Sequence, residues 1–126
     1  MNQTIAKIFG WVLILVGIAG FFSGSMNMMH GEELGLLPVN IVHNIVHILI
    51  GLWGLNAART LDGATAYCKQ AGVLFLLLGI LGMIPAVVEM FATIVPLGGH
   101  AFLLHLVLGL VLGSFGFIRG SRPAAA

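Results

Sequence analysis

Asn40-Ile-Val-His43-Asn44-Ile-Val-His47-Ile-Leu-Ile-Gly51 reads as an apolar helix that carries two histidines and two asparagines. Histidines four apart stack on one face of a helix. Gly51 and Gly54 prolong that stripe. Ionisable side chains at membrane depth are costly and mark function by default. The stretch sets two expectations: a membrane-spanning helix, and a histidine site on one of its faces.

Composition places the rest of the chain in the same setting. Of 126 residues, 60% are hydrophobic and 7% are charged, and the mean hydropathy is +1.12. Soluble domains carry about 25% charged residues. The chain therefore reads as an all-α integral membrane protein, a single domain over residues 1–126. A net charge of +1 does not supply the basic footprint of a nucleic-acid binder. Cys68 stands alone, which excludes an internal disulfide and any cysteine-based zinc or redox motif.

Four apolar runs cover about 5–25, 38–58, 71–94 and 99–118. Each approaches the roughly 20 residues that a span needs. Lys7, an apolar core and Ser23-Gly-Ser25 also resemble a cleaved leader, but a repeat involving this run argues for a retained span. Lys7 stands at the start of the first run, Arg59 and Lys69 lie between the second and third, and Arg119 and Arg122 follow the fourth. By the positive-inside rule both termini are cytoplasmic.

The repeat is carried by glycine, proline and histidine together. Gly10, Gly17 and Gly20 match Gly72, Gly79 and Gly82 at one constant offset; Pro38, His47 and Gly51 match Pro96, His105 and Gly109 at a second. Two tandem helical hairpins that both start inside are related by an axis along the membrane normal. His47 and His105 then face each other across a four-helix bundle. Small residues at helical spacing let backbones approach closely, within the bundle or towards other subunits or a second copy. Gly51 and Gly109, beside inward histidines, could also leave room for a flat macrocycle.

Pro85 is expected to kink the third helix. That would place Glu89 at a depth comparable to His43, His47 and His105, while His100 points away from His105. The histidine set then admits three readings. His47 and His105, with His43 nearby, could ligate haem b or a (bacterio)chlorophyll. His43, His47, His105 and Glu89 could hold a metal such as zinc or iron. Or the histidines and Asn44 form a buried polar network without cofactor. The outward loop Met26-Asn-Met28-Met29-His30-Gly-Glu32-Glu33 offers soft ligands of the kind that copper(I) accepts. Asp62-Gly63 signals a turn in the inside loop.

No serine has an adjacent base or an oxyanion loop, and no glycine motif cradles phosphate. The expected role is therefore non-enzymatic: an accessory subunit of an electron-transfer or photosynthetic membrane assembly, in contact with lipid and other membrane subunits. The alternative is an oligomeric small-solute or proton-linked transporter working through His43, His47 and Glu89.

Pro38, Asn40, His43-Asn44, His47, Gly51 and the exit Ala57-Ala-Arg59 resemble a bacterial family of small four-helix membrane proteins classed only as a domain of unknown function. Its signature is an asparagine, a His-Asn-x-x-His helix, glycines, an Ala-Ala-Arg exit and a further histidine in the last helix, which His105 matches. The aspartate that usually precedes that histidine is absent; Gly99-His100-Ala101-Phe102 stands there. The resemblance implies a four-helix fold in a bacterial inner or photosynthetic membrane and no particular activity.

Overall fold

The computed structural model describes residues 1–22, 32–34 and 37–119. Helix α1 (Asn2–Phe22) is followed by an antiparallel ribbon of β1 (Glu32–Leu34) and β2 (Leu37–Val39). Helices α2 (Ile41–Ala57), α3 (Leu61–Leu81), the short α4 (Pro85–Phe91) and α5 (Ala101–Gly113) complete the order, and α5 runs on as a π-helical segment, Ser114–Arg119. The methionines and histidine of the expected copper-type loop, at 26–30, and the tail at 120–126 lie outside the described residues.

Three helical stretches are long and apolar enough to cross a membrane: Asn2–Phe22, Leu61–Leu81 and Ala101–Arg119. Their outward faces agree. Trp11, Leu15, Leu77 and Leu110 are each more than half exposed, as is Leu49 on α2. So much exposed apolar surface is at home only in lipid. This is a membrane protein.

The helix ends follow from local chemistry. Asn40 caps α2 by accepting from the His43 backbone N–H at 2.8 Å, and its amide donates to the Ile94 carbonyl at 3.0 Å. Thr60 caps α3 by accepting from the Gly63 N–H at 3.1 Å. The Asp62-Gly63 pair, expected as a loop turn, is thus the first turn of α3, with Asp62 favourably placed at the positive helix end. The third apolar run is not one kinked helix. α3 ends at Leu81, Ile84 is extended, and Pro85 opens α4. Proline lacks the N–H that a continuing helix needs, restricts the residue before it, and suits a first helical position.

Asn40→Ala removes both the cap and the tether to Ile94. Cap loss alone costs about 0.5–2 kcal/mol, and the tether puts the expectation at the upper end. Equilibrium unfolding in detergent measures it.

Two helix pairs dominate the packing, α1 with α2 and α3 with α5, and glycine makes both close. A Cβ on Gly51 would lie 2.6 Å from the Gly10 carbonyl oxygen and 2.7 Å from Ile14 Cγ1; one on Gly109 would lie 2.9 Å from the Gly72 oxygen and 2.6 Å from the Leu76 nitrogen. Gly17 meets Ile48 as Gly79 meets Leu106, and Gly20 meets Asn44 as Gly82 meets Phe102. Every one of these contacts moves from the first pair to the second by the two offsets read from the sequence. The glycines therefore pack helices of this chain against one another. Gly51 and Gly109 abut neighbouring backbone and leave no room for a macrocycle at those positions.

At one end of the bundle, Asn2 donates to the Thr65 hydroxyl at 2.9 Å, Gln3 donates to the Ala58 carbonyl at 3.1 Å, and Arg119 reaches the Met1 sulfur. At the other end lie the Asn40–Ile94 contact and the buried Val39 and Leu97. Between them the core runs through Ala6, Leu13, Ile50, Tyr67, Cys68, Ala71, Phe75 and Leu112.

Candidate metal centre

His43 and His47 occupy consecutive turns of α2, and His105 lies in the first turns of α5. All three are buried. One potential ligand nitrogen from each lies within 4.8 Å of the others. The rings of His43 and His47 are 4.2 Å apart between centroids, His43 and His105 are 6.1 Å apart, and His47 and His105 are 6.3 Å apart.

Phe75 of α3 closes the cluster. Its ring stacks at 5.7 Å on His105 and at 6.4 Å on His47. Sequence reasoning missed it, because one phenylalanine in an apolar span carries no signal alone. The first sequence offset did hold a clue: it carries Leu13 onto Phe75.

The hydrogen bonding around the histidines is incomplete. Nδ1 of His43, His47 and His105 is buried and, among the described residues, has no hydrogen-bond partner. The Pro96 backbone carbonyl lies near the His43 side chain. Metal-bound histidine usually gives its second N–H to a carbonyl or carboxylate, which fixes the ring and frees the other nitrogen. Pro96 belongs to the segment that Asn40 tethers through Ile94, so the α2 cap also steadies this carbonyl.

The other expected participants stand elsewhere. Glu89 is exposed on α4 and is not part of the three-histidine group. Its expected depth assumed one continuous helix through Pro85, and the chain breaks there. His100 is exposed just before α5. Asn44 is buried on the neighbouring face of α2, packed on Gly20 of α1, with its Oδ1 unpartnered among the described residues. It does not join the histidines in a network. His43, His47 and His105 are the residues that the fold brings together.

The chain matches the DUF4383 family, a domain of unknown function, over residues 3–118. It belongs to that family. No curated protein and no solved structure matches the chain. For this DUF4383 member the chemistry must therefore come from the site. Three imidazoles and no carboxylate form a neutral donor set. Such a set suits zinc and other late first-row ions, and in tetrahedral zinc sites with three protein ligands the fourth position takes water or substrate.

Two cavities flank the cluster. The larger, about 150 Å³, is lined by Leu13, Val16, Val39, Leu104 and Leu108 beside the three histidines. The smaller, about 30 Å³, is lined by Phe75, Leu78, Leu97, Val46 and Ile50 beside the same three.

Proposed function

We propose that this protein is a membrane-embedded metal-binding protein in which His43, His47 and His105 hold one divalent first-row ion, zinc in the first instance. The carrying observation is the set of three buried imidazoles whose ligand nitrogens fall within 4.8 Å of one another. Buried polar atoms are normally paired. One ion would give each of the three rings a ligand bond. At zinc–nitrogen distances of about 2.0–2.1 Å the nitrogens of a tetrahedral site stand roughly 3.3–3.4 Å apart, so the rings would draw inward on binding.

The geometry favours an ion over a haem or chlorin. A macrocycle between His47 and His105 needs a flat plane there. His43, 4.2 Å from His47, borders that gap, and so does Phe75, 5.7 Å from His105. Larger ligands also occupy sites of roughly 300–1,000 Å³, well above the cavity beside these rings. The proton-linked carrier reading loses support with Glu89 outside the cluster.

We read the fold as four spans in two tandem hairpins, with both termini on the cytoplasmic side of a bacterial inner membrane. The 17 residues of α2 make a helix of about 26 Å, at the short end for a hydrocarbon core of roughly 30 Å. The glycine contacts that repeat by constant offsets support the tandem arrangement. Lys7, Arg59, Lys69 and Arg119 lie towards the end where Met1 meets Arg119, which supports the orientation.

The test is metal analysis of gently purified protein, followed by replacement with cobalt(II). One ion per chain and the intense visible bands of tetrahedral cobalt are expected. Alanine at His43, His47 or His105 should each weaken binding by more than the 10–100-fold typical of outer-shell partners, and Glu89→Gln should leave it unchanged. Metal-free protein showing only the spectrum of hydrated cobalt would sink the proposal. Porphyrin or chlorin bands in the same spectrum would favour the macrocycle instead.

A further inference from the structure

The two cavities beside the histidines are counterparts under the repeat. Leu13, Val16 and Val39 of the larger correspond to Phe75, Leu78 and Leu97 of the smaller, and Leu104 and Leu108 correspond to Val46 and Ile50. At the first three places the second hairpin carries the bulkier residue. Phe75, Leu78 and Leu97 reduce their chamber to about 30 Å³, whereas Leu13, Val16 and Val39 leave about 150 Å³. The same framework is thus packed shut on one side of the histidines and kept open on the other.

The open chamber has a definite chemistry. Apart from the imidazoles, its lining side chains are aliphatic. A cavity of about 150 Å³ has room for xenon or benzene. It is too small for a drug-sized ligand, since those sites start at roughly 300 Å³. The aliphatic walls offer an anion nothing to replace its hydration. Val12 and Leu104 line the chamber and are 43% and 42% exposed, so its mouth opens on the lipid-facing surface between α1 and α5. A molecule that dissolves in hydrocarbon can enter there without crossing water.

We infer that this chamber is a binding pocket for a small uncharged molecule, no larger than benzene, that arrives through the bilayer; a diatomic gas is the member of that class that could also coordinate an open-shell ion, such as iron(II) or cobalt(II), held by the three histidines. The pocket stands on the cavity alone; the coordination step rests on the metal reading above. Three protein ligands leave a fourth position on a tetrahedral ion, and of the two chambers that the histidines line, the one beside Leu13 has the room. No bond to the gas other than coordination is invoked.

Two probes separate the pocket from the metal. Xenon needs no metal. Methyl NMR of the full chain in lipid nanodiscs, under rising xenon pressure, should show saturable shifts at Val16, Val39 and Leu108. Leu13→Phe, which installs the residue of the closed chamber, should abolish them, and so should Leu104→Trp at the mouth. Leu49→Trp on another lipid-facing surface should leave them intact. Shifts that rise linearly without saturating, or that survive both closing variants, overturn the pocket. Nitric oxide is then added to cobalt-loaded protein. It should change the visible bands in the wild type and fail to do so in Leu13→Phe, while azide should have little effect. Cobalt bands that ignore nitric oxide, or respond more to azide, overturn the gas-ligand assignment. Failure to load cobalt at all sinks the metal centre, and the xenon result still decides the pocket.

Discussion

Gly51→Leu is expected to force α1 away from α2 and to destabilise the protein by about 3 kcal/mol or more, the upper range for overpacking a dense core. The reason is the identity of the neighbours. A Cβ at Gly51 would meet the Gly10 carbonyl oxygen at 2.6 Å, and one at Gly10 would meet the Gly51 oxygen at 2.9 Å. Backbone on both sides cannot move aside as a side-chain tip can. In lipid, helices associate largely through such close packing, because there is little hydrophobic drive between them. Gly109→Leu should cost about as much, since it faces Gly72 and Leu76 in the equivalent way. Gly113→Ala should be nearly neutral, because its Cβ would find nothing within 4 Å. Reversible unfolding of the three variants in mixed micelles gives the comparison. A Gly51→Leu protein that unfolds at the wild-type midpoint would break the close-packing account, and strongly unequal losses at Gly51 and Gly109 would break the equivalence of the hairpins.

The recurring glycine contacts explain how much of the fold was legible. Apolar length places the first, second and last helices, the glycine spacing anticipates close helix packing without saying between which helices, and the histidine offset anticipates that His47 nears His105. His43 follows from its position one turn before His47. The ends of helices were less legible, because they turn on single polar contacts. Leu61, capped by Thr60, starts α3 ten residues before the apolar run at about 71, since a short capped helix turn tolerates Asp62 and Gly63 where a hydropathy profile sees a loop. Glu89 was misplaced for a related reason: its depth was counted along a helix that ends at Leu81. The contributions of Phe75 and Pro96 were not legible at all. One is an ordinary aromatic in a span, the other offers only a carbonyl, and both matter through where the fold sets them beside the histidines.

Zinc is expected to stabilise the wild-type protein, and the sign of this effect separates a metal centre from buried histidines that merely pack. A ligand that binds only the folded state adds about 2.7 kcal/mol when free ligand stands at 100 times its Kd. Unfolding in buffered zinc should therefore shift by that amount in the wild type and by almost nothing in His47→Ala. The combined variant His43→Leu, His47→Leu, His105→Leu sharpens the contrast. Replacing buried polar groups by apolar ones of similar size is often neutral or stabilising, and interhelical polar contacts in membranes average only about 0.6 kcal/mol. Without metal the triple-leucine protein should equal or exceed the wild type; with zinc the order should reverse. Were the histidines present to hold the bundle together, zinc would leave both curves in place and the triple variant would be the weaker at every concentration. Three imidazoles with unpartnered Nδ1 atoms are a cost to an empty bundle, and a bound ion would offset that cost, which is why the sign of the zinc effect decides between the two accounts.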